Sequence, residues 1–271
     1  MDIQAPVHLL NGQPADADGV GLRALALSNY GHFTSLQVRA GCAQGIGLHM
    51  ERLRLGNVEL FDEGLDETSV RGWMAHASAG GDCSLRVTVF ARGFDHRQPL
   101  RRLATDVLVS ATAPAALPAR PLRVQVRHFF RPVPQLKHVG TFPLFHHRRQ
   151  AQMAGFDDAL FVDGGQARIS EGTVWNIGFW DGARVIWPQA PALRGTAERM
   201  LQLGLAAHGV AQEIRPVGVD ELPSFRAAFT CNASGVQPII AIDDLDYDDA
   251  PDLHAVLAAA ATHAPWEPLS L

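Results

Sequence analysis

One stretch limits how this chain can fold. Residues 111–121 read ATAPAALPARP, with Pro114, Pro118 and Pro121 set among small residues and no apolar period. Proline fixes its own φ, lacks an N–H and pushes the residue before it out of the helical region. Neither a long helix nor a central strand can therefore run through this stretch, and it reads as a moderately stiff linker. The expected organisation is a small N-terminal α/β domain (1–112), a linker (113–121) and a larger C-terminal domain (122–271). Pieces of this size can each bury a core of their own. With 47% hydrophobic and 19% charged residues, the chain is not of the disordered class.

The flanking patterns are mixed. HFTSLQVRA, SLRVTVFARG and DVLVSATAP read as strands before the linker, and LHMERLRLGNVELF (48–61) and SVRGWMAHAS (69–78) as helices. After the linker, LRVQVRHFF alternates as a strand. A helix is expected from about Phe142, with Pro143 in its first turn and Gly155 at its end. DALFVDGGQARIS and WNIGFWDGARVIWP read as hairpin-like units, the second turning at Asp181-Gly182. Residues 195–209 form a helix between glycines, FRAAFTCNAS holds a strand that runs into a small-residue loop, and DLHAVLAAAATHA is a helix. The fold class expected is α/β (α+β) in two domains.

The net charge of −5 supplies no basic face for nucleic acid. No apolar run approaches the ~20 residues of a membrane span. The opening MDIQAPVHLLNG lacks the pattern of a signal peptide, and Cys42, Cys83 and Cys231 suit neither a disulfide framework nor a metal site. A cytoplasmic protein with reduced thiols and no metal is expected. His146-His147 are adjacent and diverge on a helix, and GCAQGIG has the wrong glycine spacing for a dinucleotide.

Lysine and arginine together number 23, and Lys137 is the sole lysine. Arginine replaces lysine as a surface charge but cannot form a Schiff base, because its guanidinium stays protonated. Lys137 is either a surviving surface residue or an amine kept for chemistry. Partial burial between a strand and a helix would lower its pKa and make it a nucleophile or base. Glu171 stands in the apolar ISEGTVWNI stretch, as a local cap or as a carboxylate facing a cationic ring nitrogen. ALRGTAERML opens a helix with small residues, so its first N–H groups could hold a phosphate, and CNASG (231–235) offers a second such loop. Arg52, in HMERL, is a solvated helix arginine or a bidentate phosphate ligand. An amine for an aldehyde, a carboxylate for a pyridinium and donors for a phosphate together describe pyridoxal 5′-phosphate.

These residues resemble the class IV (fold type IV) pyridoxal-phosphate enzymes, which include the branched-chain and D-amino-acid aminotransferases and aminodeoxychorismate lyase. The resemblance runs from about Leu22 to Ile240. It rests on YGHFTSLQVRAG, HMERL, LRVTVFARG, LKHVGTF, AGFDDALFVDGGQARISEGTVWNI, LRGTAERML and CNAS, in that order. It implies an active site in a cleft between the two domains. Lys137 would be the Schiff-base lysine, Glu171 the partner of the pyridine nitrogen and Arg52 the phosphate arginine. Gly195, Thr196 and Ala197 would form the phosphate-binding helix start, with Ala233 and Ser234 in the second phosphate loop. Arg39 and Arg92, at strand ends, are candidates for a substrate carboxylate.

The resemblance further implies amino and keto acid substrates, a homodimer and catalysis of amino-group transfer through a Lys137 Schiff base. Two departures bear on the subgroup. The helix start, often Leu-Pro-Gly-hydrophobic-Thr-Arg, is here Leu193-Arg194-Gly195-Thr196-Ala197-Glu198. Five residues after the lysine, where branched-chain members carry tyrosine, stands Phe142. The alternatives are a lyase that releases pyruvate and 4-aminobenzoate from aminodeoxychorismate, and a non-catalytic relative that binds the cofactor.

Overall fold

The computed structural model describes residues 6–115, 120–165 and 167–270. Of the expected linker, residues 116–119 lie outside the described residues. The chain forms two compact units. Unit one is Met1–Ala115, Leu136–Gly140 and Pro265–Leu271, and unit two is Ala116–Gln135 and Thr141–Ala264.

Unit one contains β1 (Val7–Leu10), β2 (Gln13–Pro14), α1 (Gly19–Ser28), β3 (Gly31–Val38), β4 (Cys42–Gln44), α2 (Ile46–Phe61), α3 (Glu67–Ser78), β5 (Cys83–Phe90) and β6 (Asp106–Thr112). Five strands form an antiparallel sheet in the order β2-β1-β6-β5-β3, and β4 pairs separately with Trp266–Pro268. On β3 the side chains alternate between faces. Leu36 and Val38 lie in the apolar core with Met50 and Leu53 of α2. Phe33, Ser35 and Gln37 belong to the opposite face. Helix α1 was not expected from sequence. Its glycines give it a weak helical pattern, and it starts where the Asp18 carboxylate accepts the Gly21 N–H at 2.9 Å.

Unit two contains β7 (Leu122–His128), α4 (Phe142–Met153), β8 (Asp158–Val162), β9 (Ile169–Gly172), β10 (Asn176–Trp180), β11 (Arg184–Pro188), α5 (Thr196–Ala207), β12 (Ala211–Arg215), β13 (Ala227–Asn232), β14 (Gly235–Ile242), β15 (Leu245–Asp246) and α6 (Pro251–Ala261). Its sheet runs β12-β11-β10-β13-β14-β7-β8-β9, with β15 on β14. Strands β7 and β8 are parallel, which requires a crossover, and α4 lies in the connection between them. The expected β8–β9 and β10–β11 pairs are antiparallel. Gly155 after α4 (φ +89°) and Gly182 in the β10–β11 turn (φ +103°) take the left-handed conformations for which glycine suits. Strand β8 is buried along its whole length. No helix among the described residues is long and apolar enough to cross a membrane.

Candidate active site

In unit one, the segment around Lys137 pairs with the edge strand β3. The Phe33 N–H donates to the Lys137 carbonyl at 2.8 Å, and the Val139 N–H donates to the Gly31 carbonyl at 2.9 Å. His32 and His138 form an antiparallel bridge. The lysine backbone is thus fixed by pairing with a strand about a hundred residues away, and this end of the sheet edge is covered. The side chain is half-buried, with Nζ 5.0 Å from the centre of the Phe33 ring. Arg86, across the pair on β5, lays its guanidinium 3.6 Å from the centre of that ring.

Helix α2 faces the same strand. His49 Nδ1 and Thr34 Oγ1 are 2.7 Å apart, and both side chains are buried. Burial, and then the charges of Arg52 and Lys137, push the His49 pKa down to about 3, so the ring is neutral at pH 7. Arg52 follows one helical turn after His49 and is half-buried. The charges of the predicted amine and of the predicted phosphate arginine, both in unit one, thus act on the same buried imidazole.

In unit two, Glu171 on β9 is 3% exposed. Its partner is Arg131, also buried: Nε donates to Oε1 at 2.8 Å and Nη2 to Oε2 at 3.3 Å. The sequence reading passed over Arg131, because an arginine in RPVPQL carries no local mark. The hint was Glu171 itself, since a carboxylate in an apolar stretch must find a counter-charge.

The residues around Glu171 have structural work of their own. Asp158, at the start of β8, accepts from Thr173 at 2.7 Å, from Trp175 Nε1 at 2.8 Å and from Arg148 at 2.6 and 3.1 Å. The turn Gly172–Trp175 is thereby locked to β8. A Cβ on Gly172 would fall 2.1 Å from the Trp175 ring, so only glycine fits there. Asn176 Nδ2 donates to the Leu193 carbonyl at 2.8 Å, and a Cβ on Gly195 would lie 2.3 Å from Asn176 Oδ1. The same block therefore also sets where α5 begins.

Helix α5 starts at Thr196, which is buried. Glu198 occupies the position where the family often has arginine. It is 1% exposed, accepts from the Gly195 N–H at 3.3 Å and from Arg194 at 2.7 Å, and burial raises its pKa. Part of the donor capacity at this helix start is thus met from within the chain. In the turn after β13, the Ser234 N–H donates to Asn232 Oδ1 at 2.8 Å.

Of the two arginines singled out for a carboxylate, Arg92 is held by Asp106, with contacts of 2.6 to 3.1 Å, and by Asp18 at 2.9 Å. Arg39 has a longer contact of 3.8 Å with Asp82 and donates to the Val38 carbonyl at 2.8 Å. Arg86, which the sequence reading did not select, has no carboxylate partner among the described residues. Its guanidinium stacks on the Phe33 ring and its Nε donates to Thr88 Oγ1 at 3.3 Å. Strand alternation could have found it, since it shares a face with Ser84 and Thr88 on a strand whose other face is apolar. No cluster of three or more metal-ligating side chains occurs among the described residues.

These donors chemically suit a phosphorylated pyridine aldehyde. Unit one offers an amine beside an aromatic ring and a half-buried arginine one turn from a neutral imidazole, and unit two offers a buried carboxylate and a helix start of the kind that can hold a phosphate. Residues 31–242 match the amino-transferase class IV family, so the chain belongs to it. This is a family of pyridoxal-phosphate enzymes, transferases and related lyases.

Comparison with curated proteins finds no match. Among solved structures, the branched-chain aminotransferase of Thermoproteus uzoniensis with norvaline superposes with a TM-score of 0.83 at 18% identity, covering 94% of each chain. The 4-amino-4-deoxychorismate lyase of Pseudomonas aeruginosa gives 0.81 at 23% identity, covering 93% of this chain and 97% of that one. The pyridoxal-phosphate-bound form of a hypothetical aminotransferase from Mycobacterium tuberculosis gives 0.74 at 20% identity, covering 88% and 91%. At these identities the likeness establishes the fold, which a transferase and a lyase share.

Proposed function

We propose that this chain is an aminotransferase that moves an amino group between an amino acid, or a related amine, and a keto acid, with Lys137 as the covalent anchor for pyridoxal 5′-phosphate. The observation that carries the reading is the placement of the chain's single lysine. Its backbone is bonded to β3 and its amine lies 5.0 Å from the centre of the Phe33 ring. When bound, the cofactor supplies an aldehyde for an amine and a ring that withdraws electrons from the substrate Cα. Lys137 Nζ takes up the Cα proton and returns it. With the cofactor bound, Glu171, whose carboxylate Arg131 holds in place, would keep a proton at the ring nitrogen. Arg52, the α5 start at Gly195, Thr196 and Ala197, and the turn at Ala233 and Ser234 are assigned to the phosphate.

Arg86 is assigned to a substrate carboxylate. Arg39 remains a second candidate for that contact, because Arg92 would first have to leave Asp18 or Asp106. A homodimer in the cytoplasm, acting on small amino and keto acids, belongs to the same proposal. So does the linker at 113–121, amended by the packing of Leu136–Gly140 and Pro265–Leu271 in unit one.

A second reading, aminodeoxychorismate lyase, draws on Phe142, which weighs against a branched-chain aminotransferase and is shared in kind by the lyase and D-amino-acid subgroups, both of which lack tyrosine there. Phe142 stands five residues after the lysine and offers no hydroxyl; it stacks on His146 with ring centres 5.7 Å apart. The test begins with the visible spectrum of the protein loaded with cofactor. A band that borohydride removes and that Lys137→Ala lacks supports the anchor, and a colourless protein that ignores added cofactor refutes it. Incubation with aminodeoxychorismate and no keto acid then separates the readings. Pyruvate in step with 4-aminobenzoate identifies a lyase, while amino exchange across a panel of D- and L-amino acids identifies a transaminase.

A further inference from the structure

The unit-one sheet buries Leu36, Val87 and Val109 on one face, against α2 and α3. Rows of side chains cross its other face, set by the pairing registers of β3, β5 and β6. Phe33 stands opposite Thr88, Ser35 opposite Arg86 and Gln37 opposite Ser84. On the next strand, Arg86 stands opposite Ser110 and Ser84 opposite Thr112. Directly opposed side chains in an antiparallel pair have Cβ atoms about 5 Å apart. Ser35 and Ser110 therefore flank Arg86, one on each neighbouring strand.

The rows differ in what they leave unmet. The Gln37 row bonds within itself: the Ser84 hydroxyl donates to Gln37 Oε1 at 3.0 Å and accepts from the Ala115 N–H at 2.8 Å. In the Arg86 row, the Ser35 and Ser110 hydroxyls have no partner among the described residues, and Arg86 commits only Nε, to Thr88 Oγ1 at 3.3 Å. The Arg86 guanidinium lies 3.6 Å from the centre of the Phe33 ring, which Lys137 Nζ approaches to 5.0 Å. One aromatic ring thus links this row to the amine. A guanidinium donates and never accepts, so a ligand over the row must bring acceptors and negative charge. An aliphatic side chain laid there would strand the hydroxyls and the outer guanidinium N–H groups, at about 1–3 kcal/mol for each unmet group. The two hydroxyls are roughly 10 Å apart across the sheet, too far for one carboxylate to meet both. Two separated acceptor groups fit the row.

We infer that Ser35 and Ser110, on either side of Arg86, form a specificity subsite that selects dicarboxylic amino and keto acids over those with branched aliphatic side chains. The inference rests on the proposed function and names the side chains that its substrate site takes. Arg86 supplies the charge for one carboxylate, and the hydroxyl that this carboxylate does not reach donates to the second. A site built to hydrogen-bond a polar group discriminates strongly against an analogue without it, because its own donors are then left unpaired.

Glutarate and 4-methylpentanoate test this, because they match an acidic and a branched side chain in length and carry no amino or keto group to react. Isothermal titration calorimetry of the full chain, with and without pyridoxal 5′-phosphate, reads their affinities. Glutarate should bind about tenfold tighter or better. Ser35→Ala and Ser110→Ala should each cut that preference about three- to tenfold. Neither hydroxyl has a bond to lose among the described residues, so both variants keep the fold, which circular dichroism checks. The inference is overturned if the wild-type protein shows no such preference, or if the folded variants keep the wild-type ratio. A protein that takes up the cofactor yet favours 4-methylpentanoate leaves the proposed function standing and removes the subsite. A serine-dependent preference for glutarate in a protein that binds no cofactor keeps the subsite and refutes the proposed function.

Discussion

Arg131 and Glu171 grip each other through two parallel contacts, Nε to Oε1 at 2.8 Å and Nη2 to Oε2 at 3.3 Å, with both side chains buried. Breaking such a pair from one side strands the other charge in a low-dielectric setting. Arg131→Met should therefore lower unfolding free energy by about 3–5 kcal/mol, whereas the double change Arg131→Met, Glu171→Leu should recover much of the loss. Urea denaturation of the three proteins checks this. A single variant as stable as wild type would show that the pair has no energetic role.

Two buried histidines predict how stability depends on pH. Burial lowers His32 to about 4 and His49 to about 3, from an unfolded value near 6.5. Between the folded and unfolded values the unfolded chain binds more protons, so stability falls as pH drops. The expected course is a plateau above about pH 7 and a progressive loss from about 6.5 toward 4, on the order of a few kcal/mol in all. Urea midpoints at pH 7.5, 6, 5 and 4 measure it, and His32→Phe should flatten the slope. A flat profile over that window would contradict the neutral assignment.

Arg86 predicts a kinetic split. With its guanidinium on Phe33 and no acidic partner among the described residues, replacement by leucine should spare the fold. Arg86→Leu should raise KM for carboxylate substrates roughly 10- to 100-fold, the loss of one charge-assisted contact. The corresponding Arg92→Leu change should instead lower thermal stability, because Asp106 is left buried without its partner. Unchanged KM in a folded Arg86→Leu enzyme would remove Arg86 from substrate recognition.

Gly195 predicts a local effect on cofactor binding. A methyl group there would lie 2.3 Å from Asn176 Oδ1, so Gly195→Ala must displace the loop before α5. Its φ is ordinary at −68°, so the cost is steric rather than a matter of backbone strain. We expect a loss of about 1–3 kcal/mol in stability and weaker pyridoxal 5′-phosphate binding, read by equilibrium absorbance titration. Gly209→Ala serves as a comparison. Gly209 has a φ of +70° and nothing within 4 Å of an added Cβ, so that change costs backbone strain alone.

Much of this could be read along the chain. Helices α2, α3, α4, α5 and α6 carry apolar periods or end signals that their own neighbours supply. The β8–β9 and β10–β11 pairs announce themselves by short runs and turn residues. Helix α1 escaped because Gly19 and Gly21 dilute its pattern and because packing rather than propensity holds it. A Cβ at Gly21 would fall 2.6 Å from Leu10. Strand β14 escaped because the residues after Asn232 read as a small-residue loop, although they turn straight back into an antiparallel hairpin with β13; its other partner, β7, lies far off in the sequence.

The sequence by itself determined that one amine was available, that a carboxylate stood in an apolar stretch, and that the motifs followed the order of class IV aminotransferases. Residue type and spacing are local properties and need no fold to be read. Only the tertiary structure decided that Glu171 is paired with Arg131, that Lys137 hangs from the edge of β3, and that Asp158 gathers Thr173, Trp175 and Arg148. Those outcomes depend on which groups are taken out of water together. Desolvation makes a long-range partner obligatory without leaving any mark on the residues that flank it.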